Sequence, residues 1–318
     1  HGYTSELDST LFYGNITPVN KDRKLAITIN TYGEDVESVG YKIRSLEDKS
    51  LIENTEVSGY QVTDNKINVT LNIKNLLDTG KEYALEVVLK TKKHDAVYYY
   101  TRIMYGTDYD LQKKLDFVRD FNACTFDSAR LKDIGGYLET SSVGDNTNYG
   151  KVNINCSLSQ IGWGDLEPYI ESEITPEIIS INDDVAIIRL DYRVGAANDY
   201  SSSDTYNVNE YYRIRQTNSG FYLLNFEREM NQVFDAKNDL TSSAKINLGI
   251  NSSTYVNCTS DEKGIYTYFV NQGSLWCFSS SSQTFTRVFS FRGEETDSVR
   301  EDYDAHNIKI MKIEDNGD

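Results

Sequence analysis

Four side chains within residues 161–169 have the chemistry of a binding site. The segment reads Ile-Gly-Trp-Gly-Asp-Leu-Glu-Pro-Tyr. Trp163 and Tyr169 offer aromatic faces on which a sugar ring can stack. Asp165 and Glu167 offer carboxylate oxygens that accept hydrogen bonds from sugar hydroxyls or pair with a basic group. We therefore predict that these four residues contact a ligand.

Two other interpretations of this segment stay open. Glycosidases place two carboxyl groups on either side of the scissile bond, so Asp165 and Glu167 could form an acid/base pair. Their spacing of two residues in a loop does not determine the distance between the two carboxyl groups. Alternatively, Trp163 could anchor the loop onto a sheet.

No catalytic residue is predicted elsewhere in the chain. A site of the Ser-His-Asp or Cys-His type needs a histidine base, and the candidates are His1, His94 and His306. His1 is the first residue, and the other two lie in loop-like segments. None is accompanied by the Gly-x-Ser-x-Gly motif of a nucleophile elbow.

The sequence also predicts no cofactor. Neither of the glycine-rich phosphate-binding motifs occurs in the chain. Residues 145–150 begin like a calcium-binding EF-hand loop, but Thr147 and Tyr149 stand where carboxylates or amides are required.

The four cysteines predict no metal site. Cys124, Cys156, Cys258 and Cys277 include no Cys-x-x-Cys pair and have no histidine at ligand spacing. Cys258 and Cys277 lie in neighbouring strand-like runs. We expect these two to be buried free thiols, with a disulfide between them as the alternative.

Composition indicates a soluble, β-rich protein of several domains. The 318 residues suffice for two or three cores, and the 24 tyrosines favour strands. The net charge of −17 makes nucleic acid an unlikely partner, because it repels phosphate backbones. No window approaches the about 20 apolar residues of a membrane span. Any membrane attachment is therefore expected from a segment outside this sequence.

Residues 1–106 are predicted to form a β-sandwich of the immunoglobulin or fibronectin type III kind. Short alternating runs recur at the spacing typical of such domains. Leu77, Gly80 and Tyr83 have the spacing of a tyrosine corner. In that motif the tyrosine hydroxyl bonds to backbone a few residues upstream.

Residues 107–238 are predicted to form an α+β domain. Apolar residues between positions 109 and 126 have helical spacing, with Thr107 or Asp108 as N-cap. Alternating strand patterns follow at 151–158, 185–194, 208–216 and 221–226. Residues 195–207 are interpreted as a surface loop.

Residues 239–318 are predicted to be a β-meander that resembles a propeller blade. Three short strands with tight connections occupy residues 264–291, and residues 308–313 predict a further strand. The chain stops at an Asn-Gly turn signal, so we expect the natural protein to continue with a return strand.

Several runs resemble one group of proteins. These runs are residues 208–215 and 221–228, preceded by 145–148 and 163–166. They are similar to membrane-anchored extracytoplasmic proteins of Gram-positive gut bacteria over most of residues 107–318. The resemblance implies a location outside the membrane and a propeller-like C-terminal region, and it carries no activity over.

The leading hypothesis is a non-catalytic extracytoplasmic binding or sensing module for a glycan or protein partner. A secreted carbohydrate-active enzyme, or its ancillary domains, is the first alternative. A structural spacer within a larger surface protein is the second. Ligand identity and oligomeric state are beyond this sequence.

Overall fold

The computed structural model confirms that the protein is mainly β, with several separate sheets. It describes residues 2–106, 109–197, 203–236, 241–242, 245–249, 256–291 and 307–313.

The N-terminal unit has eight strands in two sheets. They are β1 (Ile16–Val19), β2 (Lys24–Asn30), β3 (Val36–Ser45), β4 (Leu51–Val57), β5 (Gln61–Thr63), β6 (Lys66–Asn72), β7 (Glu82–Thr91) and β8 (Val97–Tyr105). One sheet has the order β1-β8-β7-β3-β4, and the other has the order β2-β6-β5. Both sheets contribute to one hydrophobic core, because alternate side chains of each strand point to the same face.

The tyrosine corner is confirmed. The Asp78 N–H donates a hydrogen bond of 2.8 Å to the Tyr83 hydroxyl. Gly80 has φ +77°, a left-handed conformation that glycine adopts without steric cost, and its N–H donates to the Tyr105 carbonyl. The corner thus ties the β6–β7 connection to β8. The immunoglobulin or fibronectin class of the unit stays a prediction.

Tyr83→Phe should lower the free energy of unfolding by about 1–2 kcal/mol, because the partly buried Asp78 N–H loses its acceptor. Urea unfolding monitored by circular dichroism would measure this change. Tyr13→Phe is the control, since that side chain is 77% exposed. Equal denaturation midpoints for the two variants would contradict a stabilising role for the corner.

The middle unit packs helices against one face of an antiparallel sheet. Its elements are α1 (Leu111–Thr125), a 3-10 helix (Leu131–Tyr137), β9 (Lys151–Asn153), α2 (Leu158–Ile161), β10 (Tyr169–Ile170), β11 (Thr175–Ile181), β12 (Val185–Ala197), β13 (Ser203–Thr217) and β14 (Gly220–Gln232). The sheet order is β10-β12-β13-β14-β9, and β11 pairs with a second stretch of β12. We call the face that contacts α1 the inner face and the opposite one the outer face.

The predicted helix over residues 109–126 is confirmed as α1. Val118 and Phe121 lie on its buried side. Thr107 and Asp108, the predicted caps, lie outside the described residues. The loop predicted over residues 195–207 is wrong at both ends, because β12 continues through Ala197 and β13 begins at Ser203.

Two further sheets follow in the C-terminal region. A two-stranded one pairs β15 (Thr241–Ser242) with β16 (Lys245–Ile246). The other is an antiparallel meander of β17 (Cys258–Ser260), β18 (Tyr266–Asn271), β19 (Ser274–Ser279) and β20 (Thr284–Ser290). The three strands predicted over residues 264–291 are confirmed. The strand predicted at 308–313 is wrong, since the described residues 307–313 form none. The propeller class stays a prediction.

The first two units meet through shared packing. Ile16 of β1 and Met104 of β8 join the hydrophobic core of the middle unit, whereas Val19 and Tyr105 belong to the core of the N-terminal unit. The two faces of the β1–β8 pair thus contribute to different cores. The boundaries at 106/107 and 238/239 stay predictions.

All four cysteines are free, and Cys258 is exposed, which corrects the expectation that it is buried. Cys258 pairs with Phe269 on β18, and Phe269 pairs with Trp276 on β19. The β17 and β19 backbones are therefore about 9–10 Å apart, beyond the roughly 7 Å that a disulfide can span between Cα atoms.

A maleimide should label Cys258 alone in the native protein and all four cysteines after unfolding in urea, because Cys124, Cys156 and Cys277 are buried. Intact mass spectrometry without a reducing agent would count the labels. A total of two labels in the unfolded protein would reveal a disulfide and contradict this structure.

Candidate functional site

Trp163 lies in the core rather than on a ligand surface. Its side chain is 1% exposed, and its indole N–H donates to Thr125 Oγ at 3.3 Å. The ring packs against Phe126 with centroids 5.3 Å apart. The prediction that Trp163 stacks on a ligand is therefore wrong, because neither ring face reaches solvent. The anchoring interpretation describes its contacts.

Arg228 of β14 covers the indole of Trp163. Its guanidinium carbon lies 3.4 Å from the ring centroid, in cation–π contact. Its two terminal nitrogens donate to the carbonyls of Gln160 and Ile161 at 3.0 and 2.9 Å. These contacts fasten the end of α2 and the following loop to the inner face of the sheet.

Glu210 of β13 is the counter-ion of Arg228. The two residues are direct cross-strand partners, and Glu210 Oε1 lies 3.9 Å from Arg228 Nη1, with both side chains fully buried. The other carboxylate oxygen accepts from Asn122 Nδ2 at 2.8 Å and from the Tyr212 hydroxyl at 2.7 Å. Helix α1 is thereby connected to the same pair.

Burial determines the ionisation of the neighbouring groups. Desolvation raises the pKa of Tyr192 and of Tyr212 well above the usual tyrosine value, and the nearby Glu210 charge acts in the same direction. Desolvation lowers the pKa of Arg228, and the Glu210 charge opposes that effect. Both tyrosines therefore stay protonated at neutral pH, where the Tyr212 hydroxyl donates to Glu210.

Arg228→Leu should lower the free energy of unfolding by about 3–5 kcal/mol, because it leaves the buried Glu210 carboxylate without a counter-ion. The control is Arg119→Leu, which removes an exposed arginine of α1 and should change stability by less than about 0.5 kcal/mol. Urea unfolding measures both.

The double variant Glu210→Gln/Arg228→Leu tests the origin of that loss. It should be more stable than Arg228→Leu alone, because removing the second charge relieves the uncompensated one. If the loss in the double variant equalled the sum of the losses in Arg228→Leu and in Glu210→Gln, the two side chains would not be energetically coupled.

The other three predicted ligand residues are exposed. Asp165 lies on the loop and accepts from the Tyr149 hydroxyl at 2.9 Å. Glu167 is exposed on the same loop with φ +45°. Tyr169 is 51% exposed on β10, opposite Gly195. The structure thus separates Trp163 from these three. Ligand contact by them, and an acid/base pair of the two carboxylates, stay predictions.

Tyr169 also belongs to a larger surface, the outer sheet face. Its ring covers Gly195 so closely that a side chain there would collide with it. The outer sheet face is formed by the side chains that alternate with the buried ones on β12, β13 and β14. Its members include Arg189, Asp191, Arg193, Asn207, Asn209, Tyr211, Arg213, Arg215, Tyr222, Asn225, Glu227 and Glu229.

The outer sheet face is long and polar, with an exposed tyrosine towards each end. Tyr222 is 54% exposed and pairs with Arg215, whereas Tyr169 lies across β12 from Thr205. The distance from Arg215 to Thr205 along β13 is about 34 Å at the rise of an extended strand. The face is therefore long enough for several sugar residues.

Sequence reasoning missed this face and the buried pair, although a signal was present. In residues 208–216, the apolar side chains of Val208, Tyr212 and Ile214 are at even positions, as Glu210 is, and therefore lie on the same face of the strand as Glu210. That alternation predicts a buried glutamate, and it assigns the arginines at 213 and 215 to the solvent side.

The N-terminal unit contains a separate groove of about 840 Å³ between its two sheets. Ile27, Ile29, Val36, Leu89 and Tyr99 provide apolar walls. This volume lies within the range of about 300–1,000 Å³ that is typical of ligand pockets.

Strand β2 borders this groove and is the edge strand of its sheet. Hydrogen bonds from Ile73 to Arg23 and from Thr31 to Asn65 place the odd-numbered residues in the bonded pairs with β6. The backbone N–H and C=O groups of even-numbered residues such as Thr28 therefore point away from β6.

Two kinds of feature were not found in the described part of the chain. It contains no group of three or more His, Cys, Asp or Glu side chains placed to hold a metal ion. It also has no helix with the length and apolar character needed to cross a bilayer.

No protein-family profile matches the chain, and no curated protein is significantly similar to it in sequence.

Proposed function

We propose that this protein is a non-catalytic extracytoplasmic binding module that holds a glycan on its outer sheet face. The observation that carries the proposal is the pair of exposed tyrosines, Tyr169 and Tyr222, separated by a continuous row of polar side chains. The location, the kinship with membrane-anchored proteins of Gram-positive gut bacteria, and the sandwich and propeller classes are part of this proposal.

The chemistry of the outer sheet face suits sugars. Tyrosine rings provide flat apolar surfaces for the C–H face of a sugar ring, and the amides of Asn207, Asn209 and Asn225 can both donate to and accept from hydroxyls. Because the sheet already fixes the backbone of these residues, binding does not have to order a loop.

Tyr222→Ala should weaken glycan binding about tenfold, the equivalent of about 1.4 kcal/mol, because it removes a stacking face. A glycan array followed by calorimetry on the best ligand would measure the change. Tyr13→Ala is the control, since Tyr13 is exposed on the N-terminal unit. Equal loss in both variants, or none in either, would contradict binding at this face.

The glycan array and a hydrolysis assay together separate this proposal from its two alternatives. Incubation of the wild-type protein with a polysaccharide panel, followed by analysis of reducing ends, would detect hydrolysis. Cleavage that is lost in Asp165→Asn or Glu167→Gln would favour a carbohydrate-active enzyme. If the protein neither binds nor cleaves any glycan, the result would favour a structural spacer.

A second candidate function is binding of a protein partner at the groove. The open edge of β2 beside apolar walls suits an extended peptide that adds a strand and inserts alternate apolar side chains. Thr28→Pro removes a backbone N–H at that edge and should weaken such binding, whereas Val69→Pro removes an N–H that bonds β6 to β2 and should unfold the unit. Peptide-display selection on the isolated protein would test this candidate.

A further inference from the structure

Two arginines at one end of the outer sheet face have no counter-ion among the described residues. Arg213 and Arg215 are exposed on β13, with Cα atoms about 7 Å apart. Neither guanidinium group forms an ion pair or hydrogen bond with any described residue. Their charges are therefore available to an anion from solvent.

The other two arginines named in this face, Arg189 and Arg193, already form ion pairs or hydrogen bonds. Arg189 forms ion pairs with Glu177 and with Asp191, the latter at 2.8 Å. Arg193 donates from Nε to the Asn207 amide oxygen at 3.2 Å. Positive charge without a partner is thus concentrated at the Arg213–Arg215 end.

The neighbours of the two arginines supply the rest of a sugar site. Tyr222 is the cross-strand partner of Arg215, and Asn225 is the partner of Arg213. The Asn225 amide is held by a hydrogen bond of 3.1 Å to Glu227. An aromatic ring, an oriented amide and two guanidinium groups therefore lie within two adjacent rows of the sheet.

We propose that this end of the face binds a sugar residue that carries a carboxylate, such as a uronic or sialic acid. The inference rests on the proposed glycan-binding function and specifies its ligand class. Guanidinium groups bind carboxylates through paired, charge-assisted hydrogen bonds, and Tyr222 stacks on the ring.

The charge of the whole chain restricts the ligand further. A net charge of −17 repels densely charged polyanions at long range. We therefore expect a mainly neutral oligosaccharide that carries few acidic residues.

Calorimetry with matched oligosaccharides tests this specificity. Each pair has the same length and differs only in its terminal residue, glucuronic acid against glucose, or a sialylated glycan against its desialylated form. The acidic member should bind at least about tenfold more tightly, as expected for hydrogen bonds to a charged group. This preference should decrease between about 50 and about 500 mM salt, because screening weakens exposed charges.

Arg213→Gln/Arg215→Gln should abolish the acidic preference, so that the acidic and neutral members of each pair bind with equal affinity. Arg119→Gln, on α1 at the opposite side of the sheet, is the matched control and should keep the preference. Thermal melting of each variant confirms that it is folded. A single Arg215→Gln variant should show an intermediate preference.

Equal binding of acidic and neutral members by the wild-type protein would overturn the inference and leave glycan binding intact. So would a preference that persists in the double glutamine variant. Equal affinity for a glutamate-rich peptide would also overturn it, by assigning the arginines to an acidic protein partner. Failure to bind any glycan would overturn both the inference and the proposed function.

Discussion

The architecture of the middle unit depends on the buried guanidinium group of Arg228. The Arg228 side chain is fully enclosed, and its partners come from three other segments: Glu210 on β13, Trp163 in the loop, and the carbonyls at the end of α2. Removing a charge from water costs several kcal/mol per ion unless partners replace the solvent. The partners of the two terminal nitrogens and of the guanidinium face therefore bring the loop, the helix end and the sheet together in one arrangement.

This arrangement also separates the two faces of the sheet. Because the loop and α1 cover the inner face, the side chains of one parity on β12, β13 and β14 become core, and those of the other parity remain in solvent. Alternation along these long strands keeps the exposed side chains in rows, and a bulge opposite Arg213 and Ile214 shifts the alternation on β14 by one residue. An extended row of exposed polar side chains thus lies on the sheet, and Trp163 of the loop belongs to the core.

Among its described residues, the N-terminal unit has no comparable fully buried ion pair in its hydrophobic core. Its core is apolar, and the Asp78–Tyr83 hydrogen bond closes one connection between the sheets. One sheet has five strands and the other three, so the smaller sheet leaves the β2 edge uncovered beside the groove. Uncovered edges are avoided in many proteins because they invite pairing with other chains. The two units therefore present surfaces of different chemistry, one polar and basic at its end, the other apolar with free backbone groups.

The sequence alone determined the features whose signals are local. Helical spacing identified α1, alternation identified most strands, and the spacing of Leu77, Gly80 and Tyr83 identified the tyrosine corner, because each pattern is contained within a short stretch of chain. Trp163 shows what remained undetermined: its burial depends on Arg228, which lies on a distant strand. Likewise, alternation placed Arg213 and Arg215 on one face, but only the pairing of β12, β13 and β14 decided that they stand beside Tyr222 and form no ion pair with a described carboxylate. Register between strands and the side on which α1 packs are long-range choices, and no pattern within a single strand encodes them.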